Sequence, residues 1–276
     1  MIHARTARLV AWTWYRGGAF LGWQSQPGGG TVQQHVEAVL AGLQFRGRPT
    51  AAGRTDKGVH ARMQVLRFPR EAGWTAMALE QALRERLGPD AGVACVKEAS
   101  DDFHPAWSAQ GKEYRYRIWP GSAADAPPGC WRLAESPKLA GARLTPKALG
   151  AVLARAVGTR DFSALHSGER TREVRTLSQV ESSALPDGRW EVRLRGDGFG
   201  RHQVRVMVGT AALVAAGLVP ESRWEAALET ATPVEGLRAP ADGLVLWEVH
   251  YPPALDPFSP AERQEALGVP PAPPFR

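Results

Sequence analysis

Cysteine is scarce in this chain. Only Cys95 and Cys130 occur among 276 residues, without CxxC spacing or the cysteine–histidine spacing of a zinc site. Nothing therefore points to a disulfide framework or a zinc centre. Long apolar runs are missing as well. No stretch is long enough to span a bilayer, and the opening MIHARTARLVAWTW lacks the apolar centre of a secretory signal. The expected setting is soluble, reducing and cytoplasmic, with no membrane partner. HxH, HExxH, nucleophile-elbow and P-loop patterns are all absent, so a serine or cysteine nucleophile and phosphate-cradling chemistry have no support in the residues.

What is present is basic. The net charge is +6, the pI is near 9.7, and arginine clearly outnumbers lysine. Guanidinium groups pair with phosphates through two parallel hydrogen bonds, so this balance suits a polyanionic partner. Hydrophobic content of 43% against 22% charged residues is that of a folded chain. The length allows one large domain or two ordinary ones.

The order of predicted elements is mixed. Ala7 to Tyr15 alternates as a strand does, and a glycine-rich loop follows. Thr31 is placed to cap a helix carrying Val32, Val36, Leu40 and Leu43 on one face. Met63 to Phe68 reads as a strand, Thr75 to Leu87 as a helix, and GVACVKEA as a strand. A boundary near Ser108 divides the chain into domains 1–108 and 109–276. Beyond it come the strand GKEYRYRIW, a helix opened by Thr145-Pro146, two strands in REVRTLSQVES and RWEVRLRGDGF, two helices, and a last strand, GLVLWEVHY. The proline-rich tail after Pro252 is expected to add little. Strand–helix–strand order with hairpin-like pairs late in each half favours an α+β fold, with mainly antiparallel sheets and helices on one face.

Three stretches could carry chemistry. Ala51 to Phe68, AAGRTDKGVHARMQVLRF, sets Asp56 among Arg54, Lys57, His60, Arg62 and Arg67, between Gly53 and Gly58. A guanidinium two residues away favours the ionised carboxylate, which suits a nucleophile or an electrostatic stabiliser. The same string also suits an ordinary turn in which Asp56 caps backbone amides. In KEYRYRIW, Tyr114 and Tyr116 share one face of a strand and Arg115 and Arg117 the other. That pattern fits base stacking with phosphate contacts, and equally a half-buried strand with solvated arginines. In GFGRHQVRVMVG, Arg201, His202 and Arg205 open an apolar helix, with Arg201 and Arg205 at i, i+4. Cations at a helix N-terminus oppose its dipole, which points either to a partner anion or to a solvated basic turn.

Taken together and in order, these pieces resemble the TruA family of tRNA pseudouridine synthases over most of the chain. The resemblance rests on YRGGAFLGWQSQ, GRTDKGVHA, DDFHPAWSA, KEYRYRI, GTRDFSAL, GFGRHQVRVMVG and EGLRAPADGLVLWEVHY. It implies two α/β-sandwich-like domains whose sheets join across a central cleft. It also implies isomerisation of uridine to pseudouridine at positions 38, 39 and 40 of the tRNA anticodon stem-loop, by a homodimer. No cofactor and no metal are implied. By position, Asp56 matches the essential aspartate. Arg54 matches the arginine that assists base flipping and pairs with that aspartate, and Arg205 the arginine that pairs with it from the second domain. Tyr114 matches the tyrosine stacked on the uracil, and Leu244 the leucine lining its pocket. Lys57, His60, Arg62, Arg201 and His202 are candidate RNA contacts.

Three departures bear on RNA contacts rather than chemistry. Arg16 stands where an aspartate usually follows Tyr15, Ala106 replaces an arginine in Phe103-His104-Pro105-Ala106, and the helix opening ends on Val206. Two other classes remain as alternatives. One is a non-catalytic RNA-binding module. The other is a glycosidic-bond hydrolase, which would want a second carboxylate, with Asp197 and Glu113 the nearest candidates.

Overall fold

A computed structural model describes residues 8–69, 71–167, 172–265 and 275. In chain order the elements are β1 (Arg8–Tyr15), α1 (Val32–Gly42), β2 (Thr50–Ala51), β3 (His60–Arg67), α2 (Ala76–Arg86), β4 (Ala91–Ala99), β5 (Gly111–Trp119), β6 (Trp131–Arg132), α3 (Pro146–Ala154), β7 (Gly158–Asp161), β8 (Val174–Ala184), β9 (Trp190–Gly196), α4 (Gln203–Ala215), α5 (Glu221–Glu229), β10 (Leu244–His250) and α6 (Pro260–Glu265). The class is mixed α/β with mostly antiparallel strand pairing. The described residues form two compact units, one up to Gln110 together with those from Leu246 onward, the other Gly111–Val245. This differs from a single cut near Ser108, because the last strand and the tail return to the first unit.

In the first unit the strands lie in the order β4-β1-β3-β10. β1 pairs antiparallel with both neighbours, Trp12 lying opposite Val65 on β3 and Cys95 on β4. Helices α1 and α2 begin where Thr31 and Thr75 accept the N–H groups of Gln34 and Ala78, as N-cap chemistry requires. Alternation predicts a half-buried β1, yet every residue from Leu9 to Tyr15 is buried. The tail is the reason. Phe258 packs edge-on against Trp12 with ring centroids 5.8 Å apart, and Phe275 does the same to Trp14 at 6.2 Å. Arg263 on α6 pairs with Glu248 and with Asp256 at 2.6 Å. The expectation that the tail adds little is thus corrected: its aromatics cover a second face of the sheet.

The second unit orders its strands β5-β9-β8-β7, antiparallel throughout, with the short β6 parallel to β5. Thr145 caps α3 ahead of Pro146. Gly150 on α3 brings that helix against Ser182 of β8, where an added Cβ would lie 2.9 Å from the serine Cβ. Helix α4 is buried along most of its length, as its apolar sequence predicts. Its Gly209 lets the backbone of Leu237 approach so closely that any side chain would collide with it.

Candidate active site

The aspartate loop belongs to the first unit. Between β2 and β3 the chain makes a tight turn in which the Val59 N–H donates to the Asp56 carbonyl at 3.1 Å, and Gly58 takes φ +84°. Four neutral contacts fix the turn. The Gln64 amide brackets Gly53, donating to its carbonyl at 2.7 Å and accepting from its N–H at 3.3 Å. The Tyr15 hydroxyl hydrogen-bonds Thr55 Oγ1 at 2.7 Å and lies 3.4 Å from the Gln64 amide nitrogen. Burial pushes the Tyr15 phenol up to about 12. The glycine-rich loop closes over the turn from outside. Trp23 donates its N–H to the Thr55 carbonyl at 3.0 Å, and a Cβ on Gly22 would lie 3.0 Å from the Lys57 nitrogen. Asp56 itself is half-buried at the tip of this frame.

The cations around Asp56 divide sharply. Arg54 and Lys57 are exposed. Among the described residues no hydrogen bond or ion pair engages the Arg54 side chain, so the expected Arg54–Asp56 pair is not formed. His60 and Arg62 are interior, only 6% and 2% exposed. His60 Nδ1 accepts the Gly17 N–H at 3.0 Å. The Arg62 guanidinium lies between the Trp12 and Trp247 rings, 5.0 and 4.8 Å from their centroids, and donates to the Trp247 carbonyl at 3.2 Å. A phosphate cannot reach a group held in this way. The expectation of RNA contact is corrected for both residues.

The second unit holds the tyrosine and the other arginine. The register of β5 on β9 sets Tyr114 opposite Leu194 and Tyr116 opposite Val192. Tyr114 is buried, with the Phe199 ring edge-on at 5.2 Å. Tyr116 donates its hydroxyl to the Pro240 carbonyl at 2.7 Å. The arginines take the other face, but they neither contact water freely nor stand ready for phosphate. Arg117 pairs with Glu191 at 2.6 Å, with side chains 4% and 1% exposed, and Arg115 pairs with Glu113 at 2.8 Å. Burial lowers the Arg117 pKa to about 10 despite the glutamate beside it.

Helix α4 begins at Gln203, with His202 as its N-cap in the left-handed region at φ +59°. Arg201 therefore lies before the helix, and the i, i+4 pairing of Arg201 with Arg205 along one face is corrected. Arg201 is exposed, and His202 lies 3.4 Å from the Arg238 guanidinium. Arg205 donates its Nε to the Ala239 carbonyl at 2.8 Å, which fixes its side chain against the segment leading to Leu244. Leu244 is 4% exposed at the start of β10. The two carboxylates considered for a hydrolase are both engaged. Glu113 holds Arg115 on the face away from Tyr114, and Asp197 Oδ1 accepts the Thr176 N–H at 3.0 Å.

The departures also find places. Arg16 donates to the Pro89 carbonyl at 2.7 Å and lies 3.8 Å from Asp90. His104 stacks on Trp107 at 3.8 Å, its Nδ1 accepting the Ala106 and Trp107 N–H groups. Residue-type reasoning about the site missed Tyr15, Thr55, Gln64 and Gly22. A signal exists for Gln64 alone: it lies in a strand whose residues are otherwise apolar or cationic, and a buried amide needs partners.

A family model described as tRNA pseudouridine synthase matches residues 153–252. The chain is 34% identical over 254 residues to tRNA pseudouridine synthase A of Geobacillus kaustophilus, covering 89% of this chain and 95% of that one. It is 36% identical over 249 residues to tRNA pseudouridine synthase A of Syntrophotalea carbinolica, covering 87% and 94%. Among solved structures, a Cbf5–Nop10–Gar1 complex aligns over 76% of this chain and 45% of that chain, at 11% identity and a TM-score of 0.37, too low to carry an argument. Identity of this extent, along nearly the whole of both chains, places this chain in the tRNA pseudouridine synthase A family.

Proposed function

We propose that the chain isomerises uridine to pseudouridine in tRNA, at positions 38, 39 and 40 of the anticodon stem-loop. The observation that carries this reading is Asp56. One half-buried carboxylate stands at the tip of a turn that glycines and neutral hydrogen bonds hold in place, in a chain of this family. In the proposed reaction the bond from the ribose C1′ to N1 of uracil breaks, the base turns, and C1′ bonds to C5. The proton leaves C5 and N1 gains one, so atoms balance without a redox partner. Asp56 acts at the sugar as nucleophile, or as the base that opens a glycal route. Reaching the base costs a few kcal/mol of unstacking, of which stacking on Tyr114 can offset about 1–3 kcal/mol.

Arg205 is proposed to pair with the Asp56 carboxylate, Leu244 to line the uracil pocket, and Arg54 to assist base flipping from its exposed position. Lys57, Arg201 and His202 are proposed RNA contacts. The reading further takes the two units as domains whose sheets join across the catalytic cleft, in a cytoplasmic homodimer that needs no cofactor or metal. The test is pseudouridine mapping of tRNA from cells with and without the gene. Loss confined to positions 38–40 is the expected outcome, and unchanged tRNA would overturn the proposal. A hydrolase would instead release free uracil, but the engagement of Glu113 and Asp197 leaves it no second carboxylate in the second unit's motifs.

A further inference from the structure

Lys112 stands two residues before Tyr114 on β5, so both side chains leave the same face, about 6.5–7 Å apart along the strand. It lies opposite Gly196 on β9. That glycine is required by its surroundings, because an added Cβ would sit 2.8 Å from the Thr176 carbonyl oxygen and 3.3 Å from the Phe199 ring. Phe199 thus lies over Gly196 and meets Tyr114 at an interplanar angle of 84°, ring centroids 5.2 Å apart. One residue earlier, the position of a Gly198 Cβ is 3.4 Å from Arg175 Nε. Lys112, Tyr114, Phe199 and Arg175 therefore converge on one corner of the second unit.

The charges at this corner do not balance. Arg175 pairs with Glu173 at 2.6 Å through one terminal nitrogen and donates weakly to the Val174 carbonyl with the other. Its Nε is buried without a partner. Arg160 lies directly opposite it on β7, and that residue's Nε is likewise buried and unpartnered. Asp197, the other nearby acid, accepts the Thr176 N–H. Among the described residues no carboxylate or carbonyl engages the Lys112 ammonium. Burial pushes the Lys112 pKa down, and the Arg175 charge adds to the shift. A half-buried lysine facing a second cation is unfavourable alone and becomes favourable when an anion docks between them.

We propose that Lys112 and Arg175 form a phosphate clamp for the RNA backbone of the nucleotide whose base lies on Tyr114. This deepens the proposed function and rests on it, since it needs tRNA as ligand. The strand sets the geometry. Base and phosphate of one nucleotide are separated by its sugar, and Tyr114 and Lys112 by one intervening residue. The clamp would hold the sugar still while the base turns, a positioning role distinct from the chemistry assigned to Asp56.

The test measures tRNA affinity across a salt series for the wild-type chain, Lys112→Gln, Lys112→Arg and Arg175→Gln, with thermal unfolding as a control of folding. Each neutral variant is expected to lower the log–log salt slope by about 0.7–0.9 and to weaken binding about fivefold near 0.1 M salt. KM for tRNA should rise more than kcat falls, and Lys112→Arg should restore both slope and KM. An unchanged slope and affinity in a folded Lys112→Gln protein would overturn the clamp. So would a kcat loss with the slope intact, which would place Lys112 at the base instead. A wild-type chain that binds tRNA but forms no pseudouridine would defeat the proposed function, while the salt slope would still decide the clamp.

Discussion

The two units hold their candidate site residues by different physics. In the first, the Asp56 turn is fixed by neutral hydrogen bonds from Tyr15 and Gln64 and by the close approach of Gly22 to the Lys57 nitrogen. In the second, the strand bearing Tyr114 is anchored by charge, with Glu191 buried between Arg117, Arg115 and Arg193. A neutral frame fixes the backbone of the Asp56 turn through hydrogen bonds that do not depend on ionised partners. An ionic frame tolerates no single removal, because whatever remains is a buried charge without its partner.

The comparison can be broken at its functional end first. Asp56→Asn keeps the turn, whose contacts are backbone and neutral, but removes the carboxylate. Pseudouridine formation should fall by roughly 10³-fold or more, with tRNA affinity and thermal stability nearly unchanged. Turnover by this variant would show that the neutral frame presents some other group. Next in size, Glu191→Gln strands Arg117 inside the second unit and should cost about 3–5 kcal/mol in urea unfolding. A loss below about 1 kcal/mol would mean that the ionic frame is not what holds β5 and β9 together.

Legibility in the sequence divides along the same line. The strand of Tyr114 was readable from alternation, as were the capped helices from Thr31, Thr75 and Thr145, because periodicity and caps are local. The same alternation left the fate of Arg115 and Arg117 open, because Glu191 lies on another strand and ion pairing is a property of the register. Asp56 is visible as one acid among cations, yet those cations do not share one role. Arg62 is cationic because two tryptophans and a carbonyl enclose it, and no local signal announces an interior arginine. Part of the frame that holds Asp56 joins Tyr15 to Thr55, 40 positions away, or crosses from the loop of Gly22 and Trp23, so only the folded chain displays it.

A smaller effect tests the close glycine approach. Gly22 has φ +93° and sits against the backbone of Thr55, Asp56 and Lys57. Gly22→Ala forces both a left-handed alanine and a contact at the lower limit for a Cβ, so the loop must shift by a few tenths of an ångström. We expect about 1–2 kcal/mol of destabilisation and a roughly tenfold loss in kcat, with KM for tRNA little altered. If kcat is retained despite the stability loss, the glycine loop merely covers the turn and does not aim it.

The smallest effect is also the one that separates the two frames by pH. Tyr15→Phe removes the hydrogen bond to Thr55 and should cost about 1 kcal/mol at neutral pH. The wild-type phenol is raised to about 12 in the fold against an ordinary value of 10. Folding therefore favours the neutral hydroxyl, and its contribution is whole below pH 10. It is lost as pH climbs through 10 to 12, where the unfolded chain releases its proton first. Over that window Tyr15 alone should withdraw on the order of 2–3 kcal/mol from the wild-type protein. The phenylalanine variant has no such proton, so the stability difference between the two proteins should shrink above pH 10 and reverse before pH 12. Urea unfolding of both at stepped pH reads this directly, and because Tyr116 and Tyr251 are common to both proteins, their alkaline losses cancel in the difference. A gap that stays constant through pH 12 would mean that the phenol at the base of the Asp56 turn is reached by water, and that the neutral frame is looser than its hydrogen bonds imply.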